Sequence, residues 1–235
     1  PTADAPGHTL GGYSQRIVVD QDFVLRVHHP KEQLAAVAPL LCAGITTWSP
    51  LKNADIGPGS RVAVVGLGGL GHMAIKLAKA MGAEVTLFTR SPGKEEDAHR
   101  LGADRVVIST DAAQMAQVAG HFHLIVDTVP YVHDLNAYIP TLRFKGSLVL
   151  VGYLGPLEPA LDSMPMVIGG KAVAASMIGG MAATQEMLDF CGQHDIVSDV
   201  EVIAIQDIND AYERMLKSDV KYRFVIDMAS LKVEA

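Results

Sequence analysis

Four glycines in one short stretch, Gly66, Gly68, Gly69 and Gly71, carry the clearest chemistry in this sequence. Residues 66–71 read GLGGLG, which is GxGxxG with an additional glycine. The turn follows a Val-rich apolar run at residues 61–65. After it, residues 72–81 carry Met73, Ile75, Leu77, Ala78 and Met81 at helical spacing, and Gly82 stops the helix. A second apolar strand is expected at residues 84–88. A glycine-rich turn in a plain βαβ unit is the simpler reading. The order strand, turn, helix, strand within about 30 residues is, however, the context that a dinucleotide-binding turn requires. Each glycine then has a task. Gly66 permits the tight turn, Gly68 lets the backbone approach a pyrophosphate, and Gly71 lets the helix pack on the strand. The helix start supplies unpaired N–H groups and a positive dipole end to the phosphates.

The end of the second strand selects the dinucleotide. A site for NAD usually places a carboxylate there, about 20 residues past the glycines, to hold the ribose hydroxyls. Here the residues are Thr89, Arg90 and Ser91, with Lys94 one turn further. Arg90 can fork onto a phosphate and stack on adenine, the hydroxyls can accept or donate, and Lys94 adds a point charge. The missing acid favours the 2′-phosphate of NADP over NAD. An ordinary solvated helix start is the alternative for these charges. Glu95 and Glu96 come too late for the ribose and suit the first turn of a helix.

The elements that must position these groups alternate along the chain. Residues 1–12 read as a Pro/Gly-rich loop. Strands are expected at 12–19 and 23–27, a short amphipathic helix at 31–38, and a second helical stretch reaching residue 51. Beyond the glycine unit come a helix at 93–101, with Ser91 as N-cap and Pro92 in its first position, and a strand at 105–108. A helix at 111–119, a strand at 123–127, a helix at 134–142 and a strand at 146–152 follow. A proline-rich loop (155–165) leads to a strand at 172–178, a helix at 184–194, a strand at 200–205, a helix at 206–218 and a strand at 223–228. Continuous apolar strands alternating with helices specify a parallel sheet covered on both faces, a doubly wound Rossmann α/β fold.

The 235 residues are 49% hydrophobic and 19% charged, enough to build a core and too apolar for a disordered chain. The net charge of −7 argues against nucleic acid or an anionic membrane as partner. No apolar run reaches the ~20 residues that span a bilayer. Two cysteines, Cys42 and Cys191, make neither a disulfide framework nor a four-cysteine zinc knot, and a reduced, cytoplasmic setting is expected. The adjacent His28 and His29 point apart on extended chain and make a poor metal pair. The start at Pro1 suggests a fragment or a processed form.

Four stretches together, PLLCAGITTWSPL, GPGSRVAVVGLGGLGHMAIKLAKAMGAEVT, SMIGGMAATQEMLDF and DVKYRFVIDM, resemble the zinc-dependent medium-chain alcohol dehydrogenases. The likeness is strongest to their NADP-dependent branch of cinnamyl alcohol dehydrogenases and bacterial broad-range aldehyde reductases. It implies a Rossmann domain over residues 43–178, with remnants of a GroES-like catalytic domain at both ends: residues 1–42, and a return segment at 179–235. It implies further that Cys42 is a ligand of catalytic Zn²⁺ and that Thr46 contacts the nicotinamide end. Gly66, Gly68, Gly69, Leu70 and Gly71 form the pyrophosphate loop. Thr128, Val129, Val151, Gly152 and Tyr153 line the cleft at strand ends. Ser176, Met177 and Ile178 lie beside the carboxamide, and Arg223 reaches the pyrophosphate. Without the family, Cys42 would read as a small buried hydrophobe and Arg223 as an outward charge on an edge strand.

The resemblance also implies a homodimer through residues 167–178, although core burial would explain that apolar stretch nearly as well. It implies hydride transfer between NADPH and an aldehyde or primary alcohol. The family takes its further zinc ligands, a cysteine and the histidine of a Gly-His-Glu motif, from a preceding GroES-like domain, and those motifs do not occur in this sequence. Histidines 8, 28, 29, 72, 99, 121, 123, 133 and 194 show no ligand spacing with Cys42. For this chain the expectation is cofactor binding with little or no zinc-dependent turnover. A zinc-free quinone-type medium-chain reductase and a non-catalytic NADP-binding module are the alternatives.

Overall fold

The computed structural model describes residues 12–231. The loop expected at 1–12 lies outside the described residues except for Gly12, as does His8. After the leading segment come helices α1 (Leu34–Val37) and α2 (Ala43–Asn53), then the alternating unit: β1 (Arg61–Val65), α3 (Gly71–Ala80), β2 (Glu84–Thr89), α4 (Glu95–Leu101), β3 (Arg105–Ile108), α5 (Ala112–Ala116) and β4 (Phe122–Asp127). The chain continues through β5 (Leu142–Leu150), α6 (Met164–Gly169), β6 (Ala172–Ala175), α7 (Met181–Gln193), β7 (Val200–Ala204), α8 (Ile208–Leu216) and β8 (Arg223–Asp227).

Six parallel strands form one sheet in the order β3-β2-β1-β4-β5-β6, while β7 and β8 pair separately. The order reverses between β1 and β4. This is the switch point at which the connections diverge to opposite faces and leave a crevice beyond the strand ends. Val65 aligns with Phe88 on one side and with Asp127 on the other, so three strand ends share one rim.

Alternate residues of the central strands serve opposite cores. Val62 and Val64 pack with Met73, Ile75 and Leu77 of α3, and with Leu51, Trp48, Met187 and Leu188 of α2 and α7. Ala63 and Val65 face the other way, onto Phe88, Phe122, Ile125 and Tyr138. Burial on both faces explains why β1 and β4 read as unbroken apolar runs. Among the described residues no single helix is long and apolar enough to cross a membrane. The bent pair Lys31–Leu41 and Ala43–Asn53 passes that test together, but α2 is buried in this core.

Two expectations fail here. Residues 12–19 and 23–27 are not strands: Ile17, Val18, Phe23 and Val24 are exposed, on chain broken only by a 3-10 turn at Gln21–Phe23. Alternation marks extended chain, but a strand also needs a neighbour to accept its ladder, and none is present among the described residues. The helix expected at 134–142 is instead two 3-10 turns, Leu135–Ala137 and Ile139–Thr141. Pro140 falls in the second and has no N–H to donate. Asp134 begins the first by accepting from the Asn136 amide at 2.9 Å.

Candidate cofactor site

The glycine turn is built by contact at some positions and by open space at others. Gly66 has φ +89°, a left-handed conformation that favours glycine, and its N–H donates to the Phe88 carbonyl at 3.0 Å. A Cβ on Gly71 would overlap the Gly66 carbonyl oxygen, so the start of α3 lies directly against the turn. A Cβ on Gly68 would meet nothing within 4 Å. The space beside the loop is therefore open at that residue among the described residues. Thr128, at the end of β4, closes the switch point by donating its hydroxyl to the Val65 carbonyl at 2.7 Å.

Arg223 lies over the same loop. Its guanidinium occupies the space a side chain on Gly69 would need, and its Nε is buried without a hydrogen-bond partner among the described residues. A buried, unpaired guanidinium N–H is costly, and an anion beside it would relieve that cost.

The placement of Arg223 follows from one face of α3. His72 and Lys76, four residues apart, both hold the segment entering β7. His72 Nε2 is 2.9 Å from Ser198 Oγ. Lys76 Nζ donates to the Val197 carbonyl at 2.8 Å and pairs with Asp199. Asp199 also accepts from Arg100 of α4 at 2.7 Å. Since β7 pairs with β8 in the register Val200↔Arg223, fixing residues 197–199 fixes the arginine over the loop. Sequence reading missed this network, because its members lie far apart in the chain and show no local spacing.

His72 is fully buried and stacks on Tyr222 with ring centroids 4.8 Å apart. Its Nδ1, 3.1 Å from the Gly68 carbonyl, must donate, which leaves Nε2 to accept from Ser198. Burial lowers its pKa from 6.5 to about 4, against the pull of the Gly68 hydrogen bond. The native state holds this ring neutral while the unfolded chain protonates it. His72 thus contributes fully above pH 6.5, and its contribution falls as pH drops toward 4. At ~1.4 kcal/mol per unit the loss is about 3 kcal/mol. Urea unfolding followed from pH 7 to pH 4 is expected to show this slope in the wild type and a shallower one in His72→Gln.

At the end of β2, Thr89 is buried and accepts from the Ser91 amide at 3.1 Å, turning the chain out of the strand. Arg90 and Ser91 are exposed and Lys94 is half-buried. Among the described residues neither Arg90 nor Lys94 has an ion-pair partner. Ser91 takes the N-cap position ahead of the turn Pro92–Lys94, but its side chain makes no capping hydrogen bond.

Thr46 is buried in α2 one turn past Cys42, and its N–H donates to the Cys42 carbonyl at 3.1 Å. Leu70 packs against the core on the α2 side. Val129 is half-buried at the rim. Gly152 approaches it so closely that a Cβ would stand 2.8 Å from the Val129 oxygen. Val151 donates to the Asp127 carbonyl, and Tyr153 projects into solvent. The strand expected to run through Ile178 ends at Ala175. Ser176 still donates to the Leu150 carbonyl at 3.0 Å, Met177 is exposed, and Ile178 takes φ +39°. That conformation is rare for a β-branched residue. Ser49 Oγ holds it by donating to the Ile178 carbonyl at 2.8 Å.

Residues 69–193 match the family of zinc-binding dehydrogenases. The chain belongs to that family. It is 55% identical to the aldehyde reductase YahK of Escherichia coli strain K12, over 98% of this chain and 66% of the relative. Cinnamyl alcohol dehydrogenase SbCAD4 from Sorghum bicolor superimposes with a TM-score of 0.86 at 47% identity, covering 92% of this chain and 62% of that one. CAD from Helicobacter pylori, solved in complex with NADP(H), gives 0.80 at 40% identity, covering 92% and 61%. The chain thus spans just under two thirds of the length of these relatives.

The residues present fit the family's two cofactors unequally. The open face at Gly68, the unpaired Nε of Arg223 and the free cations at 90 and 94 suit a phosphorylated dinucleotide. Zinc does not fit. Cys42 is exposed beside a hollow of about 370 Å³ that also borders Arg223. Among the described residues no group of three His, Cys, Asp or Glu side chains is placed to hold a metal ion, and catalytic zinc needs three protein ligands.

Proposed function

We propose that this chain binds NADP(H) along the rim formed by β2, β1, β4 and β5, as the cofactor-binding part of an NADP-dependent alcohol dehydrogenase or aldehyde reductase. The observation that carries the reading is the loop itself: open at Gly68, closed at Gly71, with the unpaired Nε of Arg223 above it. Gly66, Gly68, Gly69, Leu70 and Gly71, with Arg223, hold the pyrophosphate. Thr89, Arg90, Ser91 and Lys94 hold the adenosine ribose and its 2′-phosphate. Thr46, Thr128, Val129, Val151, Gly152, Tyr153 and residues 176–178 line the nicotinamide half. The bound cofactor would supply a hydride to an aldehyde carbonyl, or accept one from a primary alcohol. The chain's own groups bind and orient it. No step is assigned to zinc, because Cys42 lacks partners among the described residues.

Several finer points belong to the same reading. Residues 43–178 form the cofactor unit, residues 1–42 and 179–235 belong to the catalytic side, and Cys42 contributes to a metal only where further ligands join it. The edge strand β6, with exposed Met164, Val167, Ile168 and Met177 nearby, suits a homodimer formed by strand pairing. Two free cysteines suit a reduced cytoplasmic setting. Titration with NADPH, followed by its fluorescence, is expected to saturate at one site per chain without added metal. Absence of saturable binding would overturn the reading.

A further inference from the structure

An ion pair between a half-buried histidine and a buried carboxylate lies under the cofactor rim, outside the groups assigned to binding. Asp127 ends β4 and is fully buried. Its Oδ1 accepts from the Val129 amide at 3.1 Å. Its Oδ2 stands 2.9 Å from His133 Nε2, with the ring N–H off the ideal hydrogen-bond line. The other ring nitrogen, Nδ1, is 2.7 Å from the Tyr131 carbonyl oxygen.

This arrangement favours a charged ring. A carbonyl can only accept, so Nδ1 carries a proton. A charged ring then sets opposite charges 2.9 Å apart at Nε2 and Oδ2, whereas a neutral ring leaves no proton between the ring and the carboxylate. The titratable and charged groups facing it are Asp127 from β4, Arg90 from the end of β2, and Tyr138 from the following 3-10 turn, whose ring is 6.0 Å away. Asp127 raises the pKa of His133 most, burial and Arg90 oppose it, and the Tyr131 carbonyl adds to the rise. Without the proton the pair becomes a buried carboxylate beside a lone pair, and the loop it fastens must move.

We propose that His133 is a positioning residue for the cofactor: the His133 imidazolium, clamped between Asp127 and the Tyr131 carbonyl, holds the loop 128–134 so that Thr128 and Val129 stand at the cofactor rim, and dinucleotide affinity is therefore linked to one proton on this ring. The inference rests on the cofactor reading above and deepens it. Affinity is full while the ring is charged and declines as pH rises through its titration. Because the action is on the loop, NADPH and NADH respond alike.

The test is the dissociation constant of each dinucleotide from pH 7 upward through the His133 titration located by NMR, where the 2′-phosphate, with a second pKa of about 6, stays ionised. Both constants are expected to weaken about tenfold through that titration in the wild-type chain, and to change less than about twofold in His133→Gln, which binds throughout as the wild type binds above it. Thermal unfolding and circular dichroism at pH 7 establish that the variant is folded. In the wild type, NMR titration of the His133 ring is expected to show an upward shift on saturation with NADPH, by linkage. A wild-type profile unchanged by the substitution, a decline confined to NADPH, or a His133 titration unmoved by cofactor would each overturn the proposal. Failure of the wild-type chain to bind either dinucleotide would instead overturn the cofactor reading.

Discussion

Gly71→Ala is expected to destabilise the chain severely, whereas Gly68→Ala, three residues earlier in the same loop, is expected to leave it as stable as the wild type. The methyl group on residue 71 has nowhere to go. It would overlap the Gly66 carbonyl oxygen, a backbone atom that cannot rotate away, and would crowd the Thr128 hydroxyl at 3.2 Å. Relief requires α3 to withdraw from β1, which opens the packing of Met73, Ile75 and Leu77 on Val62 and Val64. Overpacking of this kind costs about 1–3 kcal/mol, and more where the obstacle is backbone. For a domain of this size that lowers Tm by roughly 2–12 °C. The methyl group on residue 68 meets nothing within 4 Å and costs the fold nothing, but it fills the approach assigned to the pyrophosphate. Gly68→Ala should therefore keep its Tm and lose NADPH affinity by about tenfold or more, the value of one good charged hydrogen bond. Calorimetry and NADPH titration of the two variants separate the roles. Equal NADPH affinity in wild type and Gly68→Ala would remove the pyrophosphate from this loop.

Arg90→Ala is expected to weaken NADPH binding by about 10- to 100-fold while changing NADH binding less than about twofold. The arginine follows β2 on the exposed rim, without an ion-pair partner among the described residues. Its loss should leave stability unchanged, because it holds nothing together in the free chain. A charge-assisted, forked contact to a phosphate is worth about 1.5–3 kcal/mol, the fold-change given. Lys94, half-buried one turn on, keeps part of the attraction, so Arg90→Ala should retain weak selectivity and Arg90→Ala with Lys94→Ala should lose it. Both dinucleotides weakening equally would assign Arg90 to the adenine or to the loop, not to the 2′-phosphate.

The sequence was most informative where local chemistry and local structure coincide. The unit from β1 to β2 could be read residue by residue, since a turn that needs φ above zero, a helix start and two buried strands each leave a mark within 30 residues. β3 falls at residues 105–108 as expected, and Gly102, in the left-handed conformation, ends α4. Patterning failed where an element depends on a distant partner. Residues 12–27 have the alternation of strands and no neighbour among the described residues. Residues 135–141 have helical spacing, but Pro140 breaks the hydrogen-bond ladder. The candidate site divides in the same way. The glycines and Arg90 carry their chemistry in their spacing. Nothing within the local sequence links His72 to Ser198, Lys76 to Asp199, or Asp127 to His133. The first two pairs exist because α3 meets the segment entering β7, and the third because the loop after β4 folds back on the strand's last residue.

The central claim is that the rim around Gly68 and Arg90 holds a dinucleotide that carries a 2′-phosphate. Competitive titration of the wild-type chain with NADPH and NADH at pH 7 tests it most directly. The expected result is one shared site with NADPH bound at least about tenfold more tightly, matching one charged contact to the extra phosphate. Equal affinities, or tighter binding of NADH, would contradict it.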